Sequence, residues 1–435
     1  MLVSHPSRTS LDGWERRVRE TTRCRICGNA ALAPVIDLGA QALASLFTDG
    51  KPENSLQTPI PLEVVRCDAQ RTPGACGFLQ LRHTVPPDIL YYDYGYRSGI
   101  NTTMRHHLQE LARTVESAVT LRDGDLVVDI GANDGTLLLG YRQPGLVRVG
   151  FEPSNIRPAN PDHGLLYIPN IFRGRDVHER FPGRRARIIT SIAMFYDLDD
   201  PMQFCREIGE ILADDGLWVV EMSHVGAMLD HNTFDTICHE HLGYYTVHAL
   251  HYLLERTGLE LSDLTFNDAN GGSLRALVRT RRPHDPLPPA NQQRIAQALQ
   301  DEQDKGYHLA DCYAQFRQRV EAIKRDLRAL LRDVHQAGKT VYGYGASTKG
   351  NVLLQYCGLG PDDLVAIADR NPAKVGRRTL GTNIPIHSEE AVRAARPDYL
   401  LILPWHFLDE FLERERALRE AGTRFIVPFP QARIV

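Results

Sequence analysis

From Leu126 onward, short apolar runs alternate with amphipathic stretches. LVVDIG, VRVGFEPS, RIITSIAMF and GLWVVEMS read as buried strands, and the segments between them, notably around Pro201 to Leu212, read as helices. This β-then-α alternation predicts an α/β fold with a parallel, doubly wound sheet. LRALVRTRR, after ANGGS, adds a late antiparallel strand. A polar, helical region follows, one or two long helices ending at Gly338. A second alternating block then begins, with TVYGYGASTKG, LVAIADRNPAKVG, DYLLILPWH and RFIVPFP. Ahead of Leu126, an aromatic cluster and a helical stretch occupy DILYYDYGYRSGINTTMRHHLQELARTVESAV. The first 85 or so residues are turn-rich and predict a small, strand-poor module. The expected boundaries are 1–88, 89–287, 288–335 and 336–435, giving two Rossmann-like units separated by helices and preceded by a small module.

Composition narrows the function classes. Over 435 residues, 43% are hydrophobic and 24% charged, which supports packed cores and excludes low-complexity disorder. A net charge of −4 without a basic cluster argues against a nucleic-acid partner. No apolar run approaches the ~18–20 residues needed to cross a bilayer, so no membrane partner is expected. The first twenty residues lack the apolar core of a secretory signal, so a cytoplasmic enzyme is expected. Oligomeric state is not legible.

Four of the eight cysteines lie in the first module: Cys24 and Cys27 as C-R-I-C-G, then Cys67 and Cys76 as C-D-A-Q-R-T-P-G-A-C-G. Two thiolate pairs, each followed by a glycine, match a tetrahedral four-cysteine Zn2+ site of structural type. Four unrelated cysteines are the alternative, and His83 is a reserve ligand for Cys76. The turn Asp129-Ile130-Gly131-Ala132-Asn133-Asp134-Gly135-Thr136 follows a strand and is expected to open a helix, presenting backbone N–H groups to a ligand. Its G-x-x-x-G spacing disfavours NAD. Glu152, about twenty residues on, is placed to accept both hydroxyls of a ribose. Together these features resemble the S-adenosylmethionine (SAM) site of class I methyltransferases.

After the fourth strand, F-D-T-I-C-H-E-H-L-G-Y-Y places His239, Glu240 and His241 at the carboxyl edge of the sheet. The spacing excludes an H-E-x-x-H zinc protease. A histidine beside a carboxylate suits a general base, while a solvated loop is the plainer reading. Tyr244 and Tyr245 offer phenolic donors or simple packing. The second glycine-rich turn, Gly343 to Gly350, carries Lys349 and suits a diphosphate or a purely structural turn. Asn270-Gly271-Gly272-Ser273 is either a tight turn or a pocket-lining loop.

Taken in order, C-R-I-C-G, D-L-G-A-Q-A-L-A, Y-G-Y-R-S, D-I-G-A-N-D-G-T-L, H-E-H, N-G-G-S-L-R, Y-G-A-S-T-K-G-N and D-R-N-P-A-K-V-G span almost the whole chain. This series resembles the nucleotide-diphosphate-sugar C-methyltransferases, which act at C-3′ of 4-keto-deoxysugars. The resemblance implies a zinc-binding N-terminal domain, a central SAM-binding Rossmann domain and a C-terminal Rossmann-like domain that encloses the sugar nucleotide. It implies metal ligands Cys24, Cys27, Cys67 and Cys76, a SAM loop from Gly131 through Gly135 with Glu152 on the ribose, and a catalytic pair Glu240 and His241. The active-site tyrosine falls in Tyr94-Gly95-Tyr96, with Tyr96 favoured. His239, Tyr94, Tyr244, Asn270 and Lys349 complete the expected substrate contacts. Some members carry a tyrosine where Cys238 stands; Tyr244 or Tyr96 then supplies the hydroxyl, or the substrate differs. The implied chemistry is proton abstraction by His241, with Tyr96 on the enolate oxygen and Glu240 orienting His241 or gripping a sugar hydroxyl. Other readings are methylation of another small acceptor (at oxygen, for example), a zinc-ribbon RNA or protein methyltransferase, and a non-catalytic SAM-binding scaffold.

Overall fold

The computed structural model describes residues 13–49, 55–91, 95–158, 164–282 and 284–435. Strands β1 (Leu32–Gln41), β2 (Ile60–Cys67) and β3 (Leu79–Leu81) form an antiparallel sheet. A fourth strand arrives from far along the chain, because Gly243 and Tyr244 pair with Gln80 and Leu79. The expectation of a strand-poor module is therefore corrected. Pro34, Gly39 and Pro61 interrupt the apolar pattern, and register shifts in the β1–β2 pairing break the alternation that would have revealed β1.

Helix α1 (Thr102–Ala118) starts where the Asn101 side chain accepts the Met104 N–H. It buries Met104, Leu108, Leu111, Ala112 and Val115 along one face. A seven-stranded sheet follows, built from β4 (Leu126–Ile130), β5 (Val147–Phe151), β6 (Leu165–Ile168), β7 (Ala186–Ile192) and β8 (Leu212–Ser223), then β9 (Leu259–Asn267) and β10 (Ser273–Thr280). The order is β9–β10–β8–β7–β4–β5–β6, parallel from β8 to β6, with β10 antiparallel to both its neighbours. The chain leaves β4 toward β5 and later returns to β7 on its other side, so a crevice opens at the carboxyl ends of β4 and β7. The helix expected after β4 is absent. Only a single 3-10 turn, Leu138–Gly140, forms there, since Gly140 and Pro144 cut the stretch short.

Two helices, α2 (Pro289–Asp304) and α3 (Ala310–Gln336), lead to the second parallel unit. The 27-residue α3 buries Tyr313, Phe316, Val320, Ile323, Leu327, Leu331 and Val334 as one stripe. That stripe shares a core with Val35, Ile36 and Leu38 of β1, and with Val352 and Leu353 of α4 (Thr348–Cys357). Strands β11 (Val341–Tyr344), β12 (Ile367–Asp369), β13 (Ile386–Ser388), β14 (Tyr399–Ile402), β15 (Arg424–Val427) and β16 (Arg433–Ile434) order as β13–β12–β11–β14–β15–β16. All neighbours are parallel except the last pair. This unit also grips the first module. Asn351 Nδ2 donates to the Ala44 carbonyl at 2.6 Å, and Gln355 exchanges two hydrogen bonds with the Ala42 backbone. Among the described residues, no helix is long and apolar enough to cross a membrane.

One buried carboxylate locks α2 against the start of the helix Val247–Glu255 and the residue after β8. Glu302 accepts the N–H groups of Val247 (2.6 Å) and His248 (3.0 Å), and lies 3.0 Å from His224 Nε2. Glu302→Ala strands these donors in the interior, at about 1–3 kcal/mol for each buried group left unpaired. A lowered urea midpoint for this variant is expected, with far-UV circular dichroism unchanged before the transition.

Candidate active site

All three units meet around one cavity of about 910 Å³. That is close to the upper end of the ~300–1,000 Å³ range of ligand pockets, which suits two small molecules side by side. Its walls include Ser45 and Phe47 from the first module, the β4 and β7 strand ends, and Ser347, Thr348, Lys349 and His406 from the C-terminal unit.

The loop after β4 is shaped by Gly131, at φ +77, whose N–H bonds the Phe151 carbonyl at 2.9 Å. The next turn directs the Asn133 N–H at Glu152 Oε2 (2.8 Å), while Ser154 N donates to Glu152 Oε1 (2.9 Å). Two backbone donors thus fix the Glu152 carboxylate at the cavity wall, with lone pairs to spare for a diol. Gly131, Ala132, Asn133 and Glu152 line the cavity; Asp134 and Gly135 do not. Asp134 Oδ2 instead accepts the Gly99 N–H at 2.8 Å, and Asn133 Nδ2 donates to the Tyr96 carbonyl at 3.0 Å. These bonds pin the Tyr96 segment across the loop. Tyr96 lines the cavity while 45% exposed as a residue, and desolvation raises its phenol to about 12. Tyr94 lies outside the described residues.

His241 packs against Tyr196 in a tilted contact with ring centroids 4.2 Å apart, and its Nδ1 lies 2.7 Å from the Thr236 carbonyl oxygen. A carbonyl only accepts, so Nδ1 carries the proton and Nε2 keeps a free lone pair on a ring lining the cavity. Burial, reinforced by the Lys349 charge, lowers this imidazole to about 3. The ring is therefore neutral across the physiological range. The expected orientation of His241 by Glu240 is not what holds it: Thr236 does that, and both Glu240 oxygens are buried without a hydrogen-bond partner. His239 and Tyr244 do not line the cavity. His239 Nε2 donates to the Ile60 carbonyl at 3.1 Å, and the Tyr244 hydroxyl is buried unpartnered in the electrostatic reach of Cys238, Asp197 and Glu240. Lys349 Nζ donates to the Asn270 carbonyl at 2.6 Å, and both residues line the cavity. Burial lowers Lys349, opposed by nearby Asp235.

Among the cavity carboxyls to which the sequence reading gave no role are Asp129 and Asp197. Asp129 accepts the Thr190 hydroxyl at 2.5 Å, and burial raises it to about 7. Asp197 follows β7 at the same sheet edge, and that position was the available signal.

Three family matches tile the chain: a zinc binding domain at residues 24–91, a methyltransferase domain at 104–264 and a C-methyltransferase C-terminal domain at 268–430. The C-methyltransferase NovU of Streptomyces niveus is 34% identical over 421 residues, covering 96% of this chain and 98% of NovU. The chain belongs to this C-methyltransferase family. Solved structures with partial similarity include CalO1, a methyltransferase in calicheamicin biosynthesis in its SAH-bound form. It is 17% identical over 42% of this chain and 56% of that one, at a TM-score of 0.32. The CcbJ methyltransferase of Streptomyces caelestis is 13% identical over 40% of this chain and 90% of that one, at a TM-score of 0.31.

As a SAM-dependent C-methyltransferase, the protein also carries the zinc-binding module of its family. The sulfur atoms of Cys24, Cys27, Cys67 and Cys76 all lie within 4.8 Å of one another, with Cys24–Cys76 at 3.3 Å and Cys27–Cys67 at 3.5 Å. A tetrahedral zinc with Zn–S near 2.3 Å sets sulfur separations of about 3.8 Å, so the four thiols fit that ion and leave it no open position. None of the four lines the cavity. Because β3 also pairs with Gly243–Tyr244, the metal's support reaches the segment carrying Glu240 and His241. Zinc removal by a chelator is expected to lower the melting temperature and abolish methyl transfer while SAM affinity is retained. Metal analysis with calorimetry checks this; unchanged melting of fully zinc-free protein contradicts it.

Proposed function

We propose that this C-methyltransferase transfers the SAM methyl group to C-3′ of a nucleotide-linked 4-keto-deoxysugar. The observation that carries the reading is a single cavity shared by the Gly131–Asn133 loop with Glu152, the His241 imidazole with its free Nε2, the Tyr96 phenol and Lys349. SAM supplies an electrophilic sulfonium methyl when bound. Glu152 receives the ribose hydroxyls of that cofactor, and the backbone of Gly131 and Ala132 lets it approach closely.

A 4-keto group acidifies the neighbouring C-3′ hydrogen, since the resulting carbanion delocalises into an enolate. His241 Nε2 takes that proton, and the Thr236 carbonyl stabilises the imidazolium through Nδ1–H. Tyr96, whose phenol is protonated at neutral pH, donates to the enolate oxygen; such donors are worth ~3–4 kcal/mol in other enzymes. Glu240 grips a sugar hydroxyl. Lys349 attracts the diphosphate, and this couples binding to base strength. Burial is the larger cause of the depressed His241 basicity and the Lys349 ammonium the smaller one, so a diphosphate that neutralises this charge relieves only the smaller part. Water reaching the cavity without substrate meets a poor base.

The test is incubation with SAM and a panel of dTDP-, CDP- and GDP-linked 4-keto-deoxysugars, following S-adenosylhomocysteine release and product mass. His241→Asn is expected to lose solvent deuterium exchange at C-3′ by at least 100-fold, as removal of a general base does, with SAM binding intact. Retained exchange moves the base to another residue. Methylation on oxygen overturns the reading.

A further inference from the structure

The carbonyl that orients His241 sits in a turn whose supports come from outside the central unit. Phe234, Asp235 and Thr236 form one 3-10 turn, and none is more than 3% exposed. Phe234 packs on two rings of the C-terminal unit, with centroids 4.9 Å from Tyr356 of α4 and 5.3 Å from Phe429 beyond β15. Asp235 Oδ2 accepts the indole N–H of Trp405, just beyond β14, at 3.1 Å. Ahead of the turn, Asn232 donates to the Pro430 carbonyl at 3.1 Å and accepts from Arg319 Nε of α3 at 2.6 Å.

The indole is itself held in place. Its ring packs edge-on against Phe429 (5.8 Å) and His231 (6.3 Å). A Cβ on Gly271 would lie 2.7 Å from the indole Cζ2, so the Asn270–Gly272 loop comes this close only because it carries no side chain there. Lys349 anchors that loop through the Asn270 carbonyl. Neither Asp235 nor Trp405 lines the cavity, so any effect on the reaction passes through another group. The next residue along the turn is Thr236, whose carbonyl oxygen lies 2.7 Å from His241 Nδ1. That bond selects which ring nitrogen carries the proton. Without the indole, a buried carboxylate whose Oδ1 already lacks a partner loses the donor on Oδ2 as well, and the turn must move to satisfy it.

We propose that Asp235 and Trp405 are positioning residues for proton abstraction: the C-terminal unit aims the base, because its indole clamps the turn whose Thr236 carbonyl fixes the His241 tautomer. The catalytic consequence rests on the reading of His241 as the base, whereas the control of the tautomer does not. An oriented base then exists only when the C-terminal unit is docked on the central one.

Nitrogen-labelled histidine NMR on the substrate-free full chain reads the tautomer, and kinetics with the panel sugar turned over fastest read its consequence. Trp405→Phe keeps an aromatic ring without the N–H. In this variant the His241 Nδ1 and Nε2 shifts are expected to converge, the mark of tautomer exchange. Its kcat is expected to fall at least tenfold, as misaligned reacting groups do, while KM for the sugar and the SAM Kd stay within twofold. Asp235→Leu is expected to reproduce both changes. Asp235→Asn, whose amide oxygen still accepts the indole N–H, is expected to keep the wild-type shifts. Unchanged shifts in Trp405→Phe overturn the clamp, as do shifts that converge equally in Asp235→Asn and Asp235→Leu. Converged shifts with a kcat within twofold of wild type overturn the catalytic role. If His241→Asn retains exchange at C-3′, the base reading fails instead, and the nitrogen shifts still decide whether Trp405 sets the tautomer. Thermal melting identifies any variant that does not fold, and the other side of the Asp235–Trp405 pair then carries the test.

Discussion

A carbonyl oxygen accepts hydrogen bonds and never donates them, and this asymmetry decides the chemistry of His241. The 2.7 Å contact between its Nδ1 and the Thr236 carbonyl fixes the tautomer, aims the ring and leaves Nε2 as the basic atom. Tyr196 holds the other face of the imidazole. Without that one bond the ring could rotate or exchange tautomers, and the cavity would contain a histidine but no oriented base. The surrounding burial reinforces the bond, because it keeps the imidazole neutral.

The rest of the architecture can be read as the support this arrangement requires. The segment from Thr236 to Tyr245 belongs by sequence to the central unit, yet its strand Gly243–Tyr244 is the edge of the first module's sheet. The four-cysteine cluster, remote from the cavity, thereby stiffens the segment that carries Glu240 and His241. The long stripe of α3 and the Asn351 and Gln355 contacts draw the C-terminal unit onto the same module and bring Lys349 to the cavity. No single unit provides both faces of the reaction space. The two Rossmann-like units also repeat a local device. Asp369 Oδ1 and Oδ2 accept the Asn371 and Ala346 N–H groups at 2.8 Å each, much as Glu152 accepts from Ser154 and Asn133.

What was legible in the sequence follows from which signals are local. The strands read from the sequence, such as LVVDIG and GLWVVEMS, are near-continuous apolar runs, and such runs need no partner to be recognised. The cysteine spacing and the strand–turn–acid series of Gly131 to Glu152 are equally local, and both belong to regions matched by the family comparisons. Most of the misses are non-local. The sheet of the first module hides behind Pro34, Gly39 and Pro61 and needs a strand more than 150 residues away. The missing helix after β4 reflects a stretch too short to sustain one. Adjacency of Glu240 and His241 suggested that one orients the other, but neighbouring side chains in a tight turn point apart, and the partner of His241 is a backbone oxygen that no residue type advertises.

The protonation state of His241 in the resting protein tests the account most directly. Nitrogen-labelled histidine NMR, with the His241 signals assigned by comparison with His241→Asn, reports the tautomer and its titration together. The account predicts a proton on Nδ1, a bare Nε2 and no protonation of the ring down to about pH 4, well below the ~6.5 of an unperturbed histidine. A proton on Nε2, or a ring that titrates near that ordinary value, would contradict it.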